Sequence, residues 1–571
     1  MAKDKFQDII SSPILEIGQK LLDSKFTAYL VGGSVRDLFL GRGIKDWDIA
    51  TSAKPEEIIK IFPDSYYNNK FGTVGVKIDS GIVEITTFRK ESRYSDSRHP
   101  DKVIFAKTVE EDLKRRDFTV NALAINFQCL VETHCNASLR GEDSRSQETI
   151  SFEQSLSKET ENLGPGIENK KRNLLAIEEI PRLGFGEYPK YVIRKVKFSE
   201  QEKKDSNDFV TDNFSGLADL EKGVIRAVGD SEKRFQEDAL RLLRAVRFSV
   251  ELGFKIEENT AEAIKKNAGL LKNISRERIK DEFSKILLSD WPAEGVVLLR
   301  KLGLLGEIIP ALTEGIGVKQ NWHHVYSVFK HSVLSLKFCF SDELEIRLAA
   351  LLHDIAKPRV KGTGKEGQAT FYNHEVVGEK ITRETLFRLC FPNEVIKEAS
   401  KLVRFHMFNY DPALHNESTV RRLLHRVGGI ERMNKLLVLR IADRLGSGCK
   451  QGEVFKLRKL KYLIDKVSQD PISLKQLKIN GKDIMDNLKI KPGPQIGEIL
   501  DILLAVIIAE PEKNTKEELL KLAEGLWLAG KSDPGFLAKE KRKAEEFLEG
   551  KKKNHDIKLQ EKHRVRERKT S

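Results

Sequence analysis

The spacing of apolar residues changes once along this chain, and that change limits its fold more than any other feature. Up to about residue 126, short stretches either alternate apolar with polar residues or run as buried segments between glycine turns; from Leu217 onward, apolar residues recur three and four apart. The first pattern suits strands, whose side chains alternate faces, and the second suits amphipathic helices. Ile14 to Leu22 has helical spacing, YLVGG reads as a buried strand closed by a glycine turn, SVRDLFLG as the next helix, and DWDIAT as a further strand. FGTVGVKIDSGIVEITTFR alternates around Asp79-Ser80-Gly81, as a β-hairpin does. The expected class is therefore α+β, with a mixed sheet first and helices after it.

Between the two patterns, residues 128–211 turn to Ser, Glu, Lys and Asn with weak periodicity, which reads as a low-complexity insertion. Only NLLAIEEIPRLGF and YPKYVIRKVKF within it have the apolar content to form small elements. At 571 residues the chain exceeds one core, since domains run to roughly 100–200 residues each. The expected divisions are 1–127, the insertion 128–211, a helical 212–320, a second helical unit 321–466, further helices 467–530, and a charged tail 531–571.

A net charge of +13, from 99 Lys+Arg against 86 Asp+Glu, points to an anionic partner, with nucleic acid foremost. Nearly half of that excess lies in Lys539 to Ser571, where 13 Lys/Arg face 7 Asp/Glu; a solvated helix and a tail touching phosphates are both readings of such a run. The start MAKDKFQDIISSP lacks a signal-peptide pattern, and the apolar run Ile502 to Ala509 is far short of a membrane span, so a cytoplasmic protein with no membrane partner is expected. Five cysteines without a CxxC pair (Cys129, Cys135, Cys339, Cys390, Cys449) indicate neither a disulfide framework nor a zinc site.

Asp46 and Asp48 stand two apart on the DWDIAT strand, and a period of two would put both carboxylates on one face. Paired carboxylates can hold the two divalent cations that activate a hydroxyl and neutralise departing pyrophosphate. Glu84 on the next hairpin is a candidate third ligand. A DxD pair alone is weak, but Gly32 and Gly33 form a strand-to-helix turn just upstream, where backbone N–H groups can approach a triphosphate, and Arg36 follows on that helix. Asp238, Arg241, Arg244 and Arg247 recur every third residue, which predicts one shared helix face opposite Leu240, Leu243 and Val246. A carboxylate and a guanidinium together can imitate the hydrogen-bonding edge of a base.

VGGSVRDLFLG, DWDIAT, EITTFR, RRDFTVNALA and EDALRLLRAVRF occur in that order, and this set resembles the motifs of bacterial tRNA nucleotidyltransferases and the related bacterial poly(A) polymerases. The resemblance covers Tyr29 to about Leu312 apart from the insertion, with DNFSGLADLEKGVIRAVGD resuming the pattern after it. It implies a polymerase-β-like head followed by a helical neck and body. By the same resemblance Gly33 and Arg36 bind the incoming nucleotide, Asp46 and Asp48 bind Mg2+, and Arg115, Arg116, Asp117 and Asn121 hold the triphosphate and ribose. Asp238 with Arg241, flanked by Arg244 and Arg247, would select C and then A without a nucleic-acid template. For RRDFTVNALA taken alone, a basic helix start capped by Asp117 is the plainer reading.

FGTVGVKI and RKESRYSDSRHPDKVIF resemble the CCA-adding branch, with His99 a departure where relatives carry arginine. The implied activity is addition of CCA to tRNA from CTP and ATP. A poly(A) polymerase, an enzyme adding only A or only CC, and a phosphohydrolase whose head merely holds RNA are the alternatives.

His331 in VYSVFKHSVLSL, His353-Asp354 in LAALLHDIAKP and Asp443 in LRIADRLGSG fall on predicted helices, and this ordered set resembles the HD phosphohydrolase superfamily. It implies a metal site, for which a transition metal suits imidazole ligands. His374, His406 and, less directly, His324 stand at further ligand positions. A hydrolytic domain and a helical scaffold that grips tRNA both remain open on these residues.

Overall fold

The computed structural model describes residues 9–44, 46–67, 72–79, 81–92, 102–131, 209–320, 325–411, 416–449, 454–468 and 477–565. Cys135, His99, His324 and the two apolar stretches of the insertion lie outside these residues. Two compact units divide the chain, one of residues 1–406 with 438–450 and one of 407–437 with 451–571.

The first unit begins with a seven-stranded sheet in the order β3-β4-β5-β2-β1-β8-β9. Its strands are β1 (Ala28–Val31), β2 (Asp48–Thr51), β3 (Ser65–Tyr67), β4 (Thr73–Ile78), β5 (Gly81–Thr87), β8 (Ala124–Asn126) and β9 (Val210–Thr211), while β6 (Arg89–Ser92) and β7 (Lys102–Phe105) form a separate hairpin. β2 runs parallel to β5 and the other pairs in the sheet are antiparallel, so the sheet is mixed. Val31, Ala50, Phe88, Val109, Leu113 and Ala124 pack beneath it, and their burial fixes the faces of β1, β2 and β8.

Two details differ from the sequence reading. β9 lies inside the range assigned to the insertion, yet it pairs with β8 and completes the sheet; two residues are too few for a periodic signal. Asp46 precedes β2, which starts at Asp48, so the two carboxylates do not share a strand.

Beyond β9 the unit is mostly helical, through Gly216–Lys222, Ser231–Glu237, Leu240–Leu252, Glu258–Asn267, Arg276–Leu288 and Pro292–Lys301, with Val224–Ile225 and Lys255–Ile256 paired as a small parallel sheet among them. EDALRLLRAVRF is not one helix: Asp238 breaks it, with φ −140° and ψ 103°. Its Oδ1 accepts the Leu240 N–H at 3.0 Å and so caps the next helix, the usual competition of aspartate with helix continuation. Four further helices, Val328–Lys337, Leu344–Leu352, His374–Arg388 and Asn393–Phe405, follow in the same unit, together with a short hairpin of Gly362–Thr363 and Ala369–Thr370 that the all-helical reading omits.

In the second unit, Pro494–Ala509, Lys516–Ser532 and Phe536–Lys562 surround a core of Ile499, Leu503, Leu504 and Leu519. The charged C-terminal run is anchored there, because Leu537, Ala544 and Leu548 join that core. Among the described residues no helix is long and apolar enough to cross a membrane.

Candidate functional site

β1 delivers the chain into a turn at Gly32, whose φ of +74° disfavours any residue with a Cβ. A Cβ there would also stand 2.5 Å from Arg116 Nη1 and 3.5 Å from Asp48 Oδ2, so the glycine lets the turn lie against both groups. Asp48 is the register partner of Glu84 on the parallel strand β5, which places their side chains on the same face. Burial, together with the Glu84 and Asp46 carboxylates, pushes the Asp48 carboxyl up against the opposing pull of Arg116. Such crowded carboxylates favour a cation among them. Among the described residues, Asp46, Asp48 and Glu84 do not close into a ring of ligand atoms, and Glu84 is exposed and off the cleft that the other two line.

That cleft holds about 960 Å³ and is lined by Gly32, Gly33, Arg36, Asp46, Asp48, Arg115, Arg116, Asp117, Asn121, Asp238, Arg241, Arg244 and Arg247, among others. Every nucleotide-binding candidate from the sequence therefore faces it. A polar chain crosses it: Arg36 Nη1–H donates to Asn121 Oδ1 at 2.7 Å, Asn121 Nδ2–H to Asp117 Oδ1 at 3.0 Å, and Arg244 Nε–H to Asp117 Oδ2 at 2.7 Å. Burial alone would raise the Asp117 carboxyl, but the Arg244 charge and these hydrogen bonds hold it well below the usual carboxylate range. Asp117 also accepts the Phe118 N–H at 2.8 Å, so it works as a hub joining the two helical regions rather than as a helix cap. Arg36 is further fixed by Asp37, at 2.8 and 3.0 Å.

Arg115 and Arg116 both pair with Asp112, at 2.8 and 3.3 Å. Asp112 was not singled out from the sequence, although it stands three and four residues before them, the spacing of a helical ion pair. Phe248 was also missed; the guanidinium groups of Arg36, Arg244 and Arg247 lie 5.2, 5.2 and 4.2 Å from its ring centroid.

Asp238 sits ahead of the helix that carries the other three, so the expected single helix face is a junction instead. Asp238 Oδ2 accepts from Arg278 Nη2 at 3.0 Å. Arg241 donates to Glu237 Oε2 at 2.7 Å and to the Arg115 carbonyl at 3.1 Å, and Arg247 Nε stands 2.7 Å from Glu282.

A second cluster lies elsewhere in the first unit. His331 lies on Val328–Lys337 and Asp443 on Ile430–Gly446, but His353 and Asp354 occupy a turn between the helix that ends at Leu352 and the next, Lys357–Val360, which has Pro358 in its first turn. His374 begins its helix and His406 follows the end of Asn393–Phe405. The ligand atoms of His331, His353 and Asp443 lie within 4.8 Å of one another, as do those of Asp354, His374 and His406. Asp354 joins the halves: Oδ2 is 3.3 Å from both His331 and His353 Nε2, and Oδ1 is 3.4 Å from His374 Nε2.

Three of the imidazoles are oriented alike. Nδ1 of His353, His374 and His406 meets the carbonyl of the residue three positions earlier, at 3.0, 2.8 and 2.7 Å. With Nδ1–H donating, each Nε2 lone pair is turned into the cluster, where Nε2 atoms stand as close as 2.9 Å (His331 to His353) and 3.3 Å (His374 to His406). Burial, with His353 beside it, pushes His406 down to about 3. Burial would also lower His353, but Asp354 and Asp443 raise it. Lys357, which the sequence reading did not single out, puts Nζ 2.7 Å from Asp354 Oδ2. Two adjoining triads of imidazoles and carboxylates have the chemistry to hold a cation.

The chain matches the family model described as the Poly A polymerase head domain over residues 28–136, "Probable RNA and SrmB- binding site of polymerase A" over 253–316, and tRNA nucleotidyltransferase domain 2 over 369–523. It is similar to the CCA-adding enzyme of Ligilactobacillus salivarius, 32% identical over 529 residues that cover 92% of this chain and 97% of that one. The CCA-adding enzyme of Geobacillus thermodenitrificans is 29% identical, with 86% and 92% covered. A crystal structure of the Bacillus stearothermophilus CCA-adding enzyme in complex with CTP is 26% identical, with a TM-score of 0.49 and coverage of 92% and 100%. Given that match along nearly the whole length of the Ligilactobacillus protein, the chain belongs to the family of CCA-adding enzymes.

Proposed function

We propose that this protein adds CCA to the 3′ end of tRNA from CTP and ATP, and that the cleft beside Gly32 is where it does so. The observation that carries the reading is the convergence of the glycine turn, the carboxylates and the arginines of four separated motifs on one cleft of about 960 Å³. Asp46 and Asp48 would hold Mg2+, with Glu84 as the register neighbour of Asp48; the metal supplies activation of the attacking hydroxyl and charge neutralisation on the phosphates. Gly32 and Gly33 leave room for phosphate oxygens, and Arg36, Arg115 and Arg116 provide charge-assisted donors to them. Asn121 and Asp117 offer an amide and a carboxylate to the ribose.

Asp238 and Arg241 would read the base. The partners of Asp238 do not exhaust it, since a carboxylate offers about four lone-pair sites. Asp238 can therefore accept from an exocyclic amine, which C and A have and U lacks, while keeping Arg278 and the Leu240 N–H. Primer choice tests the reading against poly(A) synthesis. A tRNA transcript lacking CCA should be extended and an unstructured RNA ending in the same base should not; equal extension of both would favour the poly(A) reading.

The histidine cluster supports a second activity, hydrolysis of a phosphate ester at a transition-metal site. His331, His353, Asp354 and Asp443, with His374 and His406, would hold the metal, which imidazole-rich sets prefer over magnesium. The oriented Nε2 lone pairs are the supporting observation. Hydrolysis of 2′,3′-cyclic nucleotides or phosphate monoesters with manganese, nickel or cobalt tests it. No hydrolysis with any of these would leave the scaffold reading.

A further inference from the structure

The helix Val109–Lys114 ends just before the arginines that face the cleft, and the last turn of a helix leaves carbonyls without an intrahelical partner. Two guanidinium groups from later in the chain meet these carbonyls. Arg234 donates Nη2–H to the Lys114 carbonyl at 2.9 Å and Nη1–H to the Arg115 carbonyl at 3.3 Å. Arg241 donates Nη2–H to the same Arg115 carbonyl at 3.1 Å. Glu237 Oε2 accepts from Nη1 of both arginines, at 2.7 Å each, and Arg234 Nε–H reaches the Val228 carbonyl at 3.3 Å. Arg234 itself is not part of the cleft lining.

We propose that Arg234 is a positioning residue that couples base selection to triphosphate placement. It rests on the reading of Asp238 and Arg241 as base readers and of Arg115 and Arg116 as phosphate readers. The Lys114 and Arg115 carbonyls belong to the backbone from which the Arg115 and Arg116 side chains spring. Arg241 shares one of those carbonyls, so any shift it makes on meeting a base is felt by the phosphate-binding segment. Arg234 holds both carbonyls from a position that no nucleotide reaches, and Glu237 keeps it in step with Arg241. Positive charge at a helix C-terminus is also favourable in its own right, which makes this a stable strap.

The test uses the full-length enzyme carrying Arg234→Ala or Arg234→Lys, with Arg241→Ala as control. kcat and KM are measured for CTP, ATP and UTP on a tRNA transcript lacking CCA, beside the Tm of each variant. Arg234→Ala should lower kcat with CTP and ATP by about tenfold to a hundredfold, as small misplacements of reacting groups do. It should also narrow the preference for CTP over UTP, with the KM for tRNA unchanged. Arg234→Lys, able to keep one carbonyl bond, should recover part of both losses. A variant with lowered Tm but wild-type selectivity and kcat per active site would make Arg234 merely structural and overturn the proposal. If Arg234→Ala does not fold, Arg234→Lys decides: wild-type rate and selectivity there overturn it. Relaxed selectivity in Arg241→Ala alone sinks the strap and spares the base-reading assignment, whereas unchanged selectivity in Arg241→Ala sinks both.

Discussion

The nucleotide cleft and the histidine cluster both concentrate polar groups, but they are built around opposite charges. In the cleft, eight arginines and Lys285 outnumber the seven carboxylates lining it, and Arg36, Arg115, Arg116, Arg241 and Arg244 are held by ion pairs that fix their direction. In the cluster, four imidazoles and two carboxylates converge, three of the imidazoles with Nε2 turned inward, and His331, His353, Asp354, His374 and His406 are all buried. The first arrangement suits a polyanion that brings its own metal and leaves with it. The second suits a cation that stays. On the proposed reading the two regions would differ in what must be exchanged during each catalytic cycle.

Removing the cleft's proposed metal ligands tests its half of this contrast most severely. Asp48→Ala, and equally Asp46→Ala, should lower nucleotide addition by about a thousandfold or more, because the charge on the transferring phosphate is then uncompensated. tRNA binding, followed by filter retention, should persist. Near-normal turnover in either variant would remove that carboxylate from the metal site.

The cluster's half is tested by metal retention. After extensive desalting, wild-type protein should keep a transition metal detectable by elemental analysis, and the double variant His353→Ala with Asp354→Ala should keep none. That variant should lose any phosphate-ester hydrolysis and continue to add CCA. Equal metal content in both proteins would show that these residues are not its ligands.

A smaller effect is expected at the residues proposed to read the base. Asp238→Ala or Arg241→Ala should cost about 1–3 kcal/mol of discrimination, the worth of a lost bidentate contact, and admit UMP or GMP. A uniform rate loss with selectivity kept would assign this junction a structural role.

The mildest test concerns pH. Arg244 and the Asn121 amide hold the Asp117 carboxyl below its ordinary range. A depressed carboxylate contributes stability that is complete above the unfolded-state value of about 3.9 and is lost as pH falls through the folded value. The denaturant stability difference between wild type and Arg244→Ala should thus be constant, at about 1–2 kcal/mol, from neutral pH down to mildly acidic pH, and shrink only below about pH 4. A difference that begins to shrink near neutral pH would mean another group carries it.

Local order in the sequence made the cleft legible, since Gly32-Gly33, Asp48 and the arginines each sit in a short motif whose spacing survives in the structure. The junction at Asp238 was not legible, because EDALRLLRAVRF keeps helical spacing straight through it. The extended backbone of Asp238 and its side-chain bond to the Leu240 N–H reveal the break. β9 was hidden for a different reason, as it gains its identity from pairing with β8 across the insertion. In the C-terminal helix, Leu537, Ala544 and Leu548 mark one buried face, but the surrounding charges hid it. His374 and His406 could be placed only as further ligand positions, because contacts between distant helices leave no periodic trace.

One assay bears on the central claim directly. A tRNA transcript lacking CCA is incubated with CTP alone, ATP alone and both, and the products are sized at single-nucleotide resolution. Addition in the cleft as described should yield two added residues with CTP, three with both nucleotides and then a stop, and no extended product with ATP alone. A ladder of adenylates growing with ATP alone would contradict it.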